Sequence, residues 1–174
     1  MQDLSHEYQE RPDFYNPIWI SVTLIFSIGI FSNIAIYVAL PEKTPFHFRY
    51  SLVMDAFGTV MALGFFIPLI FWLFLVLSGV EKSVQSFVGM FSLYNYANLF
   101  FIFAALASII PISIAKWASF ALACLAACKF LAVNYASFFT KLDFGMKKTA
   151  IFIILGLQVL AALLYKTHYF ATIE

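Results

Sequence analysis

Five long apolar runs, separated by short polar segments, organise this sequence. Charged side chains lie mainly between the runs and in the first polar segment. A helix rises about 1.5 Å per residue, so roughly 20 apolar residues cross a hydrocarbon core of about 30 Å. The runs predict spans at residues 18–40, 54–79, 87–111, 117–140 and 149–166. The pattern therefore predicts an all-α polytopic membrane protein, built as a bundle of five transmembrane helices.

Proline positions add detail to the first two spans. Pro17 lies at the first turn of the first span, where a helix tolerates proline, and Pro41 follows the last residue of that span. Pro68 falls inside the second span and has no backbone N–H, so we expect a kink there. The carbonyl that Pro68 leaves without a donor then needs a hydroxyl group or a neighbouring helix to satisfy it.

An odd number of spans places the two termini on opposite sides of the membrane. The loop between the fourth and fifth spans is rich in lysine, which favours the cytosol, although basic residues elsewhere are almost evenly divided. We expect a cytosolic acidic tail at residues 1–16, a membrane domain at residues 17–170 and a short lumenal tail at residues 167–174. The first segment lacks the pattern of a cleaved signal peptide, so we expect the first span to be a retained anchor.

Composition excludes several classes of function. Apolar residues make up 63% of the chain and charged residues only 11%, whereas soluble domains have about a quarter charged. A soluble enzyme of this size has no core large enough for so much apolar surface, so membrane lipids are the expected surroundings. The formal net charge is +1 and no basic patch occurs, which argues against nucleic acid as a partner.

No constellation of catalytic, cofactor-binding or metal-binding residues stands out. The sequence has no nucleophile elbow, phosphate-binding loop or zinc-binding helix motif. Cys124 and Cys128 lie one helical turn apart in an apolar stretch without a nearby histidine, and we interpret them as packing residues. The sequence thus predicts a protein that is not an enzyme and that carries no cofactor.

Polar residues inside the predicted spans are the main candidates for function. Lys129 falls near the middle of the fourth span, where an ionisable group costs about 3 kcal/mol to insert. It either snorkels or pairs with Asn134, a carbonyl or a tyrosine, or it belongs to a functional polar site. The predicted intramembrane polar cluster consists of Tyr94, Asn95, Tyr96, Asn98, Lys129 and Asn134. These side chains either pack against other helices or line the cavity of a small transporter or channel.

The start of the first span resembles a known family motif. The segment DFYNPIWI, which begins at Asp13, resembles the Asp-Leu-Tyr-Gly-Pro-x-Trp-Ile motif of the Yip family of membrane proteins. The residues that match are Asp13, Tyr15, Pro17 and Trp19. Asn16 stands where the family usually has glycine, and asparagine tolerates left-handed backbone geometry better than most residues.

A second likeness lies in the third span, and the similarity extends from Asp13 to Phe170. Tyr94-Asn95-Tyr96-Ala97 is similar to the Tyr-Gly-Tyr-Ser motif of the Yip family. Asn95 again replaces a glycine, so a side chain that needs hydrogen bonds enters a helix interface.

The resemblance implies a five-span protein of the endoplasmic reticulum and Golgi apparatus, with a cytosolic N-terminus and a lumenal C-terminus. It implies a role in vesicle-mediated transport, through association with Rab GTPases and with other family members or further copies of itself. The motif residues Asp13, Tyr15, Pro17 and Trp19 are then the expected partner contacts. The polar N-terminal segment is short for the family, so we expect fewer partner contacts from that segment. No catalytic residue follows from the resemblance.

Overall fold

Helices make up most of the chain in the computed structural model, which describes residues 15–41, 44–79, 86–138 and 143–169; these residues include no strand. The helices are α1 (Tyr15–Ala39), α2 (Tyr50–Leu77), α3 (Phe87–Ala97), α4 (Leu99–Ala107), α5 (Ser113–Phe138) and α6 (Phe144–Tyr169). In the described part, five helical segments are long and apolar enough to cross a membrane, and α3 with α4 forms the third. The predicted all-α membrane architecture is confirmed.

Four helices begin before the predicted spans; α1 starts at Tyr15 rather than at residue 18, and α5 starts at Ser113 rather than at residue 117. Helix α2 starts at Tyr50 rather than at residue 54, and α6 starts at Phe144 rather than at residue 149. The extra residues include aromatic and charged side chains, and Lys148 places its amine 4.4 Å from the ring centroid of Phe144. An uncharged run marks the hydrocarbon core, whereas a helix continues into the interface region where such side chains settle. The predicted tails at residues 1–16 and 167–174 lie largely outside the described residues.

The third span occupies the centre of the bundle. It packs against α1, α2 and α5, while α6 packs against α5 and α2. In its most apolar stretch 56% of the residues are buried, against 28% to 44% for the other four spans. The third span also has the lowest mean hydropathy, 1.4 against 2.7 for α2. A span surrounded by protein meets few lipid tails, so it tolerates buried polar side chains such as those of Asn95 and Asn98.

A tight turn divides the third span at Asn98. The backbone N–H of Asn98 donates to the carbonyl of Asn95 (3.1 Å), and the carbonyl of Asn98 accepts from the N–H of Phe101 (3.0 Å). Both bonds join residues three apart, which is the spacing of a 3₁₀ turn rather than an α-helix. The chain keeps its direction through the turn, because the backbone of Asn98 stays in the right-handed helical region.

Aromatic side chains link the central span to the outer helices. Tyr135 of α5 is fully buried, donates its hydroxyl to the carbonyl of Met90 in α3 (3.1 Å), and packs against Phe71 of α2 at 5.2 Å between ring centroids. Phe101 of α4 packs against Tyr165 of α6 at 5.4 Å. These contacts tie α5 and α6 to the other spans.

The turn between α1 and α2 is held by an asparagine of α1. Asn33 accepts from the backbone N–H of Arg49 (2.7 Å) and donates to the Arg49 carbonyl (3.2 Å). Arg49 directly precedes α2 and makes no capping bond with its own side chain. Nearby, α1 and α2 approach closely, because a Cβ added at Gly29 would lie 2.5 Å from a methyl carbon of Val53. Asn33 thus aligns the start of α2 from a neighbouring helix.

Candidate functional site

Asn95 lies where α1, α2 and α3 meet, and its side chain is fully buried. Its amide nitrogen donates to the carbonyl of Gly64 in α2 (3.1 Å) and to the carbonyl of Phe91 in its own helix (2.9 Å). Its amide oxygen accepts from the hydroxyl of Ser21 in α1 (3.1 Å). One side chain therefore joins three spans through hydrogen bonds inside the membrane region.

The bond from Asn95 to Gly64 repairs a gap that Pro68 creates. In a regular helix the N–H at position 68 donates to the carbonyl four residues earlier, which is that of Gly64. Proline has no N–H to donate, so the Gly64 carbonyl needs another donor. Gly64 also leaves the space for Asn95, because an added Cβ would lie 2.8 Å from the Asn95 amide oxygen. The expectation that a neighbouring helix satisfies this carbonyl is confirmed.

The motif at the start of α1 presents two aromatic rings at the surface. Tyr15 and Trp19 are both exposed and pack edge to face, with 5.9 Å between ring centroids. Pro17 lies between them in the sequence, and its side chain is buried. The Pro17 carbonyl accepts a hydrogen bond from the Ser21 hydroxyl (2.9 Å). Asp13 lies outside the described residues. The exposed part of the motif is therefore aromatic, and its buried part leads to the Ser21–Asn95 contact.

A groove beside this motif joins it to the third span. The N-terminal groove has a volume of about 250 Å³. Its lining residues are Asn16, Trp19, Ile20 and Thr23 of α1 with Tyr96, Leu99 and Ile102 of the third span. Trp19 and Tyr96 come from the two motifs on which the family resemblance rests, and the structure places them on one open surface. Trp19 and Tyr96 are 77 positions apart in the sequence, so the sequence alone does not predict that they lie close together.

The centre of the bundle contains buried polar groups without hydrogen-bond partners. Within the described residues, neither the side-chain amide of Asn98 nor that of Gln158 has a partner, and neither does the hydroxyl of Tyr94. All three side chains are fully buried. Burying such groups unsatisfied is costly, so these side chains lower stability in the arrangement described.

The structure separates Lys129 from the buried members of the predicted polar cluster. Lys129 is exposed on α5, whereas Tyr94, Asn95 and Asn98 are fully buried. Asn134 is buried and donates to the carbonyl of Phe130 (2.8 Å), one turn earlier in its own helix. The cluster thus divides among the Asn95 junction, the N-terminal groove, the bundle centre and the outer face of α5.

Sequence reasoning did not select Ser21, Gly64 or Gln158. Gly64 was accessible in principle, because it lies four positions before the proline that frees its carbonyl. Gln158 is an amide in an otherwise apolar run, so the sequence marks it as an intramembrane polar residue in the same way as Asn134. Ser21 has no such signal, since serine is common in membrane helices and often bonds to its own helix.

Groups that could hold a metal ion are absent from the described residues, where no three His, Cys, Asp or Glu side chains gather. Cys124 and Cys128 are free thiols on α5, and both are partly buried. Cys124 packs against the buried apolar core, a contact typical of free cysteines.

The chain matches a protein-family model and is similar to curated proteins. The family model described as "Yip1 domain" matches residues 2–166. The chain is similar to the "Protein YIPF1 homolog" of Dictyostelium discoideum, with 27% identity over 169 residues, 94% of this chain and 46% of that protein. The chain thus spans about half the length of the curated relative it matches. No solved structure matches the chain.

Proposed function

Because this chain belongs to the Yip1-domain family, we propose that it is a non-enzymatic membrane protein of vesicle-mediated transport between the endoplasmic reticulum and the Golgi apparatus. It associates with Rab GTPases, and the contact lies at the start of α1. The observation that carries this proposal is the N-terminal groove, where residues of both family motifs share one open surface.

The start of α1, which borders the N-terminal groove, has the features of a partner site. Tyr15 and Trp19 expose large aromatic surfaces, and aromatic residues are enriched among those that dominate binding energies. Pro17 and the Ser21–Asn95 contact hold the first turn of α1 against the third span, so these rings are presented from a rigid helix. Asp13 precedes them in the sequence and is the fourth motif residue of the proposed contact.

The same proposal places the start of α1, with Tyr15 and Trp19, at the cytosolic face of the membrane, where Rab GTPases act. It requires a cytosolic N-terminus and a lumenal C-terminus, an arrangement that five spans permit. Other family members, or a second copy of the chain, are further proposed partners through the lipid-exposed helix faces.

Capture of prenylated Rab GTPases by the purified chain in mild detergent tests the proposal. We expect Tyr15→Ala and Trp19→Ala to weaken retention by about fivefold or more, the effect of losing an aromatic residue worth over about 1 kcal/mol. Trp117→Ala is the matched control, because Trp117 is 52% exposed and Trp19 is 53% exposed. Failure to retain any Rab, or equal losses for Trp19→Ala and Trp117→Ala, contradicts the proposal.

The alternative function is a small transporter or channel with a polar site around Lys129. The fully buried Asn98 and Gln158 favour a polar interior, whereas the exposure of Lys129 separates it from them. Reconstituted flux that disappears in Lys129→Leu supports this alternative, and unchanged liposome permeability removes it.

A further inference from the structure

A narrow apolar groove runs between α5 and α6 on the outside of the bundle. The α5–α6 groove has a volume of about 160 Å³. Among its lining residues are Trp117, Ala121 and Cys124 of α5 with Ala162, Leu163 and Lys166 of α6. Two of these side chains are alanines, which leave space between the helices, and Leu163 is half-exposed. The groove is therefore open to whatever surrounds the protein.

One end of the groove carries a positive charge. Lys166 is only 5% exposed, and its amine lies 4.5 Å from the ring centroid of Trp117. Lysine is seldom so buried, and its aliphatic stem here follows the apolar groove while its amine stacks on an aromatic face. Lys116 directly precedes Trp117 and adds a second, partly exposed cation at the same end.

The groove has the orientation and length of a lipid chain in one leaflet. Trp117 lies near the start of α5 and Lys166 near the end of α6, where tryptophan and lysine settle at the membrane interface. From Trp117 to Cys124 the helix descends about 10 Å at its usual rise, which covers most of one leaflet of a core about 30 Å thick. A molecule that fits this groove has an anionic headgroup at the membrane interface and an apolar chain that extends into the membrane.

We propose that the α5–α6 groove binds one acyl chain of an anionic phospholipid, with the phosphate of that lipid against Lys166. The groove lies on the lipid-facing surface, so lipid reaches it directly in the membrane. Charge complementarity selects the headgroup, because the groove is apolar apart from the lysine at its end. The proposal is independent of Rab association and of the N-terminal groove.

Fluorescence quenching of Trp117 by brominated lipids tests this site. The chain contains three tryptophans, and Trp19→Phe with Trp72→Phe leaves Trp117 as the single reporter. The protein is reconstituted in phosphatidylcholine vesicles that contain either dibrominated phosphatidic acid or the same amount of dibrominated phosphatidylcholine. We expect the site to prefer the anionic lipid over phosphatidylcholine by about fivefold, so that dibrominated phosphatidic acid quenches more strongly at the same concentration. One lysine near an anionic headgroup contributes about 1 kcal/mol, which corresponds to this factor.

Two lysines of α6 provide a matched comparison. Lys166→Gln should abolish the preference for the anionic lipid, while Lys148→Gln should retain it. Lys148 stacks on Phe144 at 4.4 Å, much as Lys166 stacks on Trp117 at 4.5 Å, but it lies at the opposite end of α6. A third variant, Ala121→Phe, fills the groove without changing charge and should lower quenching by both brominated lipids.

Three results would overturn the proposal. The first is equal quenching by the two brominated lipids in the unaltered reporter protein. The second is an anionic preference that survives Lys166→Gln or is lost equally in Lys148→Gln. The third is full quenching in Ala121→Phe. Circular dichroism of each variant verifies that it retains its helices, and the lysine and alanine variants address the charge and the groove separately, so misfolding of one leaves the other decisive.

Discussion

Replacement of Asn95 by leucine tests whether one side chain holds the first three spans together. Asn95→Leu keeps the number of side-chain heavy atoms but removes the donor to the Gly64 carbonyl and the acceptor for the Ser21 hydroxyl. Ser21 keeps a second acceptor in the Pro17 carbonyl. Gly64 has no such substitute, because the residue four positions later in its helix is Pro68. The variant therefore leaves a buried carbonyl without a partner.

The expected cost follows from the bonds that are lost. Hydrogen bonds between membrane helices contribute about 0.6 kcal/mol on average, so the two interhelical bonds of Asn95 account for about 1.2 kcal/mol. An unsatisfied buried acceptor adds about 1 to 2 kcal/mol. We expect Asn95→Leu to lower the free energy of unfolding by about 2 to 3 kcal/mol. Sodium dodecyl sulfate titration of the protein in mixed micelles, followed by circular dichroism, measures this value.

A double-mutant cycle with Pro68→Ala isolates the mechanism. The alanine restores a backbone N–H that can bond the Gly64 carbonyl, so Asn95→Leu should cost about 1 kcal/mol less in that background. Asn98→Leu is the matched control, because Asn98 is equally buried in the same span but its side chain has no partner among the described residues. We expect this control to be neutral or stabilising. The reasoning is refuted if Asn95→Leu costs no more than Asn98→Leu, or if Pro68→Ala leaves its cost unchanged.

Two further substitutions examine the contact between α1 and α2. Gly29→Ala should lower the thermal unfolding temperature, because the added methyl meets Val53, whereas Gly156→Ala, with open space around it, should be neutral; equal shifts would argue against the close approach. Asn33→Leu should speed hydrogen exchange in the first turn of α2 by about tenfold, the equivalent of about 1.4 kcal/mol, because the Arg49 backbone loses both its bonds to Asn33; unchanged exchange there would show that the cap is dispensable.

The spans were predictable from the sequence because the underlying constraint is local. Backbone amides in lipid need partners within their own helix, so each long apolar run indicates a helix without reference to the rest of the chain. The helix ends were less predictable: α1, α2, α5 and α6 begin three to five residues before the predicted spans, in flanks that mix apolar with polar and aromatic side chains. The need of the Gly64 carbonyl for another hydrogen-bond donor was also predictable locally, because Pro68 has no N–H to donate.

The identity of that partner was not predictable, because it depends on how helices far apart in the sequence meet. Asn95 and Gly64 belong to different spans, and no periodicity relates them. Lys129 illustrates a second limit. Its position in the fourth span indicates depth in the membrane, but α5 has small or apolar residues on every side, so the sequence does not say which way Lys129 faces. The N-terminal groove likewise requires the packing of α1 on the third span.

The sidedness of the two termini tests most directly the claim that a five-span bundle presents its N-terminal groove to cytosolic partners. The chain carries a tag at each end, and sealed vesicles from endoplasmic reticulum and Golgi membranes are treated with protease. We expect the N-terminal tag to be digested and the C-terminal tag to survive until detergent opens the vesicles. Tags with the same fate would indicate an even number of crossings, and protection of the N-terminal tag alone would place the groove away from any Rab GTPase.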